Sequence, residues 1–475
     1  MATRDALLVV TCSILTAAGC RPADFDDLED RAPIRVYEAP DEFVGSRYGR
    51  VVAAFSGELP DGTRVSRVMA SGGPETSFEV VPVWTGGLDL GGPLFQGCER
   101  GECADVSGEG TALAGIPEFT SPSNLMEQHM CVLVPTPPTD EPRILCETRQ
   151  DTFESIATGV ELGEAVVGLD ADEPLGFALF GAPRLAMGRG GVFLLQGDGS
   201  EAGVMPSDEL DLSAANPSST AELGAELAVA RDPGTDRTWM AVAAPGMRRV
   251  VLAELGPDGA GGAAATVLGC VDAPTGGPGG FGATVDLGDV DGDGTPDLAV
   301  GADTGRSAQP VHLYSGAGVS GATGCTSTDA SDDPPLLATV ACEGMLDGLR
   351  DVDCAESAFG VRVALGDLDA DGRDELLVGA PLATVEGVTE AGAVYVVPFD
   401  ATDAPAVDRA DVLIHSTPEE GDELGGALTT VETNLEDVVR DEVVAGLPGT
   451  DAIGIFLCSN LEGDTPVVGS RCIPD

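Results

Sequence analysis

The feature that most constrains the fold is one sequence pattern that occurs twice in nearly intact form. FGATVDLGDVDGDGTPDLAVGAD begins at Phe281, and FGVRVALGDLDADGRDELLVGAP begins at Phe359. In both copies, an alternating apolar stretch, an acidic loop and a second apolar stretch separate Phe-Gly from Gly-Ala. Because the side chains of a β-strand point alternately to its two faces, each copy is predicted to form two strands joined by the acidic loop.

Weaker copies of the pattern, without the full acidic loop, extend along much of the chain. They begin at Tyr48, Leu162, Leu223 and Leu424. The interval between the first two is long enough for two units, and residues 111–117 (TALAGIP) lie where a closing Gly-Ala-Pro is expected. We therefore expect seven units of about sixty residues, which is the periodicity of a repeat architecture.

Each unit contains three or four short strand patterns and no helical periodicity, which predicts an all-β fold, a seven-bladed β-propeller. A solenoid is also periodic, but its units are usually shorter and its ends need caps. A propeller closes on itself, so its strand edges stay short. Residues 34–37 (IRVY) are predicted to add a strand to the last unit and so lock the ring.

The Phe-Gly opening and Gly-Ala-Pro closing of residues 359–381 resemble FG-GAP repeats. Those repeats form the seven-bladed propeller at the N terminus of integrin α chains and of related bacterial surface proteins. The resemblance is strongest over residues 279–400, extends from 160 to 460, and is weak over 85–150, where an insertion carries four cysteines. It implies a propeller over residues 45–475, with calcium hairpins on one face and a ligand on the other.

The two acidic loops carry the clearest chemical signal. Carboxylates at loop positions one, three, five and nine, a backbone carbonyl at seven and glycine at six are typical of a site that wraps a hard cation in oxygen. We expect two structural Ca²⁺ sites. The candidate ligands are Asp289, Asp291, Asp293, the Thr295 carbonyl and Asp297 in the first loop, and Asp367, Asp369, Asp371, the Arg373 carbonyl and Glu375 in the second.

The loops have two alternative interpretations. An EF-hand shares the DxDxDG beginning but needs a bidentate acid at position twelve, where this chain has Val300 and Val378 inside strand patterns. The other alternative is a solvated acidic turn without a specific ion. The remaining units lack the alternation of acids, and no metal is predicted there.

Charge and composition exclude several classes of function. The net charge is −56, and all 24 basic residues are arginine. A field of this sign repels nucleic acid and anionic lipid surfaces. Without lysine, the chain has no P-loop lysine and no lysine that could form a Schiff base, with pyridoxal phosphate or otherwise.

The N terminus predicts export. An apolar run followed by residues 17–20 (AAGC) resembles the signal peptide and lipobox of bacterial lipoproteins, with 1–19 removed and Cys20 lipidated. An ordinary secretory signal with an incidental cysteine is the alternative. Residues 20–44 are predicted to be an acidic tether. Arg21 is not the acidic residue that signals inner-membrane retention, so we expect an outer-membrane lipoprotein in the bacterial cell envelope.

An exported chain is expected to use its cysteines in disulfides. Of the 12 cysteines, Cys12 lies in the signal and Cys20 would carry lipid, which leaves an even number. Their connectivity is not deducible from the sequence, and pairing in chain order is the simplest hypothesis.

Catalytic motifs were sought and not found. The three histidines, His129, His312 and His415, are isolated, and there is no HExxH, GxSxG or Walker motif. The chain is therefore predicted not to be an enzyme but a lipid-anchored monomer that binds an unknown protein or glycan. An exported hydrolase or lyase on a propeller scaffold, or a purely structural envelope component, are the alternatives.

Overall fold

The computed structural model describes residues 34–39, most of 45–85, strands between 113 and 148, and 165–456 with gaps, the longer ones being 169–177, 318–324, 326–334, 343–351 and 400–409. Predictions about the signal peptide and Cys20 lie outside this part of the chain. The described residues are almost all β or turn, as predicted. Their helical segments are short and include one helical turn at Leu185–Gly188 and 3-10 turns at Ser213–Ala215 and Pro245–Met247.

The strands form antiparallel sheets, of which the seven larger ones are numbered here in chain order. Sheet 1 is β2 (Val51–Glu58), β3 (Arg64–Ser71) and β4 (Phe78–Thr85); sheet 2 is β5 (Leu113–Gly115), β8 (His129–Val134) and β9 (Arg143–Thr148). Sheet 3 is β10 (Val166–Gly168), β11 (Ala178–Gly181), β12 (Val192–Gly197) and β13 (Val204–Pro206); sheet 4 is β14 (Leu227–Asp232), β15 (Arg237–Ala244), β16 (Arg249–Pro257) and β17 (Ala263–Asp272).

The later sheets contain the intact copies of the repeat. Sheet 5 is β18 (Phe281–Gly288), β19 (Asp297–Ala302), β20 (Val311–Tyr314) and β21 (Leu336–Val340). Sheet 6 is β23 (Arg362–Gly366), β24 (Glu375–Ala380), β26 (Ala393–Val397) and β27 (Asp411–Leu413). Sheet 7 is β28 (Leu428–Leu435), β29 (Val438–Leu447), β30 (Ala452–Phe456) and β1 (Ile34–Glu38). Two short pairs complete the described strands: β6 (Phe119–Thr120) with β7 (Met126–Glu127), and β22 (Val352–Asp353) with β25 (Thr384–Val385).

The first strand of the chain belongs to the last sheet. β1 pairs antiparallel with β30, and Ile34 lies opposite Phe456. The prediction that residues 34–37 complete the last unit is confirmed. This strand lies inside the range predicted as a tether, so the C-terminal part of that range is held in sheet 7.

Each sheet contacts the next one in chain order, and sheet 7 contacts sheet 1 through β28 and β2. Apolar side chains of neighbouring sheets share common cores. The largest joins sheets 5 and 6, and includes Val311, Phe359, Leu376 and Tyr395. A smaller one joins sheets 7 and 1, where Tyr48 and Val68 pack with Ile453. The sheets are therefore held face to face by hydrophobic burial, in the same way along the chain.

The glycines of the repeat have a steric function. The opening glycines have φ between 81° and 89°, a conformation that other residues rarely adopt. They are Gly49, Gly224, Gly282, Gly360 and Gly425. The closing glycine of one unit lies against the carbonyl of the opening glycine of the next, and a Cβ there would overlap that oxygen. These pairs are Gly181 with Gly224, Gly301 with Gly360, Gly379 with Gly425, and Gly446 with Gly49.

The described part of the chain contains two disulfides, Cys270–Cys325 and Cys342–Cys354. Both follow the predicted pairing in chain order. Cys131 and Cys146 are backbone partners across β8 and β9, and Cys98, Cys103, Cys458 and Cys472 lie outside the described residues. No helix in the described part of the chain has the length and apolar character needed to cross a membrane.

Candidate metal centres

Loop 1 (289–296) joins β18 to β19, and loop 2 (367–374) joins β23 to β24. The strands place the two loops in the same way, because Gly288 pairs with Asp297 in sheet 5 and Gly366 pairs with Glu375 in sheet 6. At this point each ladder opens into an acidic turn, while the carboxylate at position nine begins the second strand. The alternation of apolar residues in both strands specifies their pairing register, and this register fixes where the loop begins and ends.

Within loop 1, carboxylate oxygens organise the backbone. Asp289 accepts hydrogen bonds from the amides of Gly292 and Gly294, both at 2.8 Å. Asp297 accepts the Val290 amide at 3.1 Å on one oxygen, and on the other the amide of Gly316, just beyond β20, at 2.9 Å. Asp297 therefore ties the loop to its own sheet at two places.

Loop 2 repeats this organisation. Asp367 accepts the amides of Asp371 and Gly372 at 3.1 and 3.0 Å, and Glu375 accepts the Leu368 amide at 2.8 Å. Gly294 and Gly372, at position six, have φ of 84° and 87°. Both turns thus use glycine where the chain must reverse sharply.

Each loop brings three carboxylates together. One ligand atom each from Asp289, Asp291 and Asp297 lie within 4.8 Å of one another, and the same holds for Asp367, Asp369 and Glu375. These are positions one, three and nine. Asp293 and Asp371, at position five, are exposed and lie outside these groups; each accepts the backbone amide two residues on, at Thr295 and Arg373.

Burial and mutual repulsion disfavour the charged forms of these carboxylates. Burial, with a smaller contribution from the Asp291 carboxylate, raises the pKa of Asp297 to about 7. Burial raises the pKa of Glu375 to about 9, again with help from the neighbouring acids of its loop. The pKa values of Asp289 and Asp367 are also raised, chiefly by burial. A bound cation would relieve this cost.

The donor set fits a hard divalent cation. All of its members are oxygens, two carboxylates of the set are nearly solvent-free (Asp297 and Glu375), and no histidine or cysteine belongs to either group. These two groups of acids could therefore hold metal ions, and their chemistry suits calcium better than zinc or copper.

A feature that sequence reasoning missed links the two loops to their neighbouring sheets. Asp374, at position eight of loop 2, accepts the Asp289 amide of loop 1 at 2.6 Å, and its own amide donates to the Asp289 carbonyl at 2.9 Å. Asp441 of sheet 7 makes the same pair of contacts with Asp367 of loop 2, at 3.1 and 2.8 Å. Aligning the units would place Asp441 at position eight, but the spacing alone does not show what it touches.

Sheet 7 has no loop at the equivalent place. Val431 pairs with Glu442 as Gly366 pairs with Glu375, but the ladder then continues through Glu432–Asp441 to Leu435–Val438. Glu442 is fully buried, like the position-nine carboxylates of the other two sheets. The extra strand pairing occupies the place where loops 1 and 2 open.

The histidines are placed separately. His312 is buried in β20 between Phe281 and Tyr314, and its Nδ1 lies 3.1 Å from Thr339 Oγ1. His415 follows β27 rather than lying in it, and its Nδ1 lies 3.0 Å from the buried Asp422 carboxylate. The side chain of His129 is outside what the structure describes.

Comparison with protein families agrees with the repeat described above. The family model described as FG-GAP repeat matches residues 281–314 and 359–397. Each match begins at a buried phenylalanine, Phe281 at the start of β18 or Phe359 just before β23, includes one acidic loop and ends in the third strand of the sheet. These two segments are FG-GAP repeats. A search of curated proteins gave no match.

Proposed function

We propose that this chain is an exported, lipid-anchored, calcium-stabilised β-propeller that binds a protein or glycan partner at the cell envelope. Sheets 1–7 are its blades. The observation that carries the architecture is the contact of Gly446 with Gly49, because it repeats, from the last unit to the first, the contact between consecutive units. Strand β1 supports the same closure, since it brings the N-terminal end of the domain into the last blade.

Two further contacts support closure between the first and last units. The Tyr48 amide donates to Asp451 Oδ1 at 3.0 Å, and Arg47 forms an ion pair with Glu423. Asp451 lies in the turn between β29 and β30. Its own φ of 53° fixes the direction of its side chain. An antiparallel ring closed in this way protects its strand edges.

Calcium is proposed to occupy both loops. Asp289, Asp291 and Asp297 would hold one ion and Asp367, Asp369 and Glu375 the other, with Asp293, Asp371 and the Thr295 and Arg373 carbonyls completing the two ligand sets. The ion supplies positive charge that neutralises the loop and links the end of one strand to the start of the next. Its function is structural, because the loop joins two strands within one blade.

A binding function follows from analogy with FG-GAP propellers, and fold does not fix function. The net charge of −56 favours a partner with a cationic surface, since charge of one sign steers association with the other. A hydrolase, a lyase and a purely structural component stay as alternatives. Lipidation at Cys20 would attach the domain to the membrane through the lipid anchor only.

Capture of partners from envelope extracts tests this function. The full chain would be incubated with extract in calcium or in chelator, beside the double variant Asp291→Ala/Asp369→Ala. We expect partners that bind the wild type in calcium and are lost in both other conditions. Equal or absent capture throughout would contradict the binding function, and turnover of envelope glycans by the purified chain would favour the hydrolase or lyase.

A further inference from the structure

We infer that Asp441, in sheet 7, is a positioning residue for the cation site of loop 2 in sheet 6, and that Asp374 serves loop 1 in the same way. This inference rests on the proposed calcium sites. It extends each site beyond its own loop, to a carboxylate that comes from the next sheet in the chain.

The contact is reciprocal, which restricts the backbone of the first ligand residue. Asp441 Oδ2 accepts the Asp367 amide at 3.1 Å, while the Asp441 amide donates to the Asp367 carbonyl at 2.8 Å. Both polar backbone groups of Asp367 are therefore held by one residue. Since the direction of Cβ follows from the backbone, these bonds also orient the Asp367 carboxylate that heads the site.

A glycine makes room for this carboxylate in each site. A Cβ at Gly288 would lie 2.3 Å from Asp374 Oδ2, and one at Gly366 would lie 2.8 Å from Asp441 Oδ2 and 2.7 Å from Thr430 Cγ2, which also belongs to sheet 7. The glycine just before each loop is thus needed because a side chain of the neighbouring sheet occupies the space. The same arrangement at two places indicates a built contact rather than a chance approach.

Sheet 7 shows that the carboxylate acts on its neighbour and not on its own loop. The β28–β29 ladder continues past Asp441, so Asp441 lies opposite Glu432 inside the paired strands, whereas Asp374 lies in a loop. Asp441 nevertheless keeps the position and the contact that Asp374 has. Asp441 therefore acts on the backbone of loop 2.

The effect on a cation is one of preorganisation. Asp367 also accepts the amides of Asp371 and Gly372, so the whole turn is arranged around it. A fixed Asp367 reduces the ordering cost that binding would otherwise include. Loss of the Asp441 side chain is therefore expected to weaken calcium binding at loop 2 about tenfold, which corresponds to about 1.4 kcal/mol.

Calcium titration by calorimetry tests this in two backgrounds that isolate the sites. In Asp291→Ala only loop 2 binds, and there Asp441→Ala should raise the Kd for calcium about tenfold. In Asp369→Ala only loop 1 binds, and there Asp441→Ala should leave the Kd unchanged, which also shows that the fold is intact. Asp441→Asn keeps an acceptor oxygen and should recover most of the loop 2 affinity.

Asp211→Ala is the matched control, because Asp211 is exposed and its hydrogen bonds are to the amide and the side chain of Ser213, far from both loops in the chain. It removes the same charge and should change neither site. An unchanged loop 2 affinity in Asp441→Ala, equal weakening of both loops, or no recovery in Asp441→Asn would each overturn the inference. A wild type that binds no calcium would remove the proposed sites as well, whereas binding that ignores Asp441 removes the inference alone.

Discussion

The carbonyl of Gly49 lies against Gly446, at the place where a Cβ of residue 446 would be. Residue 49 opens the first unit and residue 446 closes the last, so this contact joins the two ends of the domain. The same contact joins Gly301 to Gly360 and Gly379 to Gly425 between consecutive units. Its recurrence explains why the repeat has glycine both at its opening and at its close.

Gly446→Ala should destabilise the protein, because the added methyl meets a backbone carbonyl that cannot move aside. We expect a loss of about 1–3 kcal/mol in the free energy of unfolding, as for overpacked cores. Urea denaturation measures it. Gly256→Ala is the control, because Gly256 is also in a strand but has open space around it. Equal stability of the two variants would contradict a tight contact between the first and last units.

Calcium should raise the melting temperature, and a chelator should lower it. At a free concentration ten times the Kd, each site contributes about 1.4 kcal/mol. Asp291→Ala/Asp369→Ala should melt at one temperature with or without calcium. The control Asp211→Ala/Asp303→Ala removes two acids that cap local turns, and should keep the calcium response. A wild-type melting curve that ignores chelator would refute the metal assignment.

In chelator, stability should fall as the pH rises. The folded-state pKa values are about 7 for Asp297 and Asp374, about 8 for Asp441 and about 9 for Glu375, all above the ordinary values of 3.8 and 4.5. A carboxyl with a raised folded-state pKa stabilises the fold below its unfolded pKa, and this contribution is lost as pH rises through the folded value. The loss should therefore occur between about pH 4 and 9.

Melting curves in chelator across this pH range provide the measurement. Asp297→Asn/Glu375→Gln should flatten the profile, since these residues then stay neutral at every pH. Calcium should also flatten it for the wild type, because the ion favours the ionised carboxylates. A wild-type profile that rises with pH in chelator would be inconsistent with these pKa directions.

Cys20→Ser should release the protein from membranes if Cys20 carries the lipid. Fractionation of cells, with labelling by a fatty-acid analogue, measures both the location and the modification. Cys12→Ser is the control, because Cys12 would be removed with the signal and should not affect anchoring. Membrane association of an unlabelled Cys20→Ser protein would reject the lipoprotein prediction.

Much of the local structure could be predicted because it depends on residues close in the chain. Alternating apolar residues indicated the strands of sheets 5 and 6, and both acidic loops lie between the strands expected. Two disulfides follow chain order, which their local loops favour. Strand β1 was predicted because the last unit of a closed ring needs another strand.

The contacts that complete the candidate sites could not be derived in this way. Asp374 meets Asp289 from 85 positions away, and Asp441 meets Asp367 from 74 positions away. Both pairs depend on how one sheet packs against the next. The spacing also did not separate positions one, three and nine, which come together, from position five, which faces solvent.

The order of residues was enough to specify strands, turns and the glycines of the repeat, because φ preferences and alternation act over a few residues. Only the packing of sheets could place a carboxylate of one unit on the backbone of another. Burial then changes what the acids are: an aspartate that would be solvated in an isolated loop becomes a buried group with a raised pKa and a fixed neighbour. The acidic loop can therefore be recognised in the sequence, whereas the aspartate of the neighbouring sheet that contacts it is brought there only by folding.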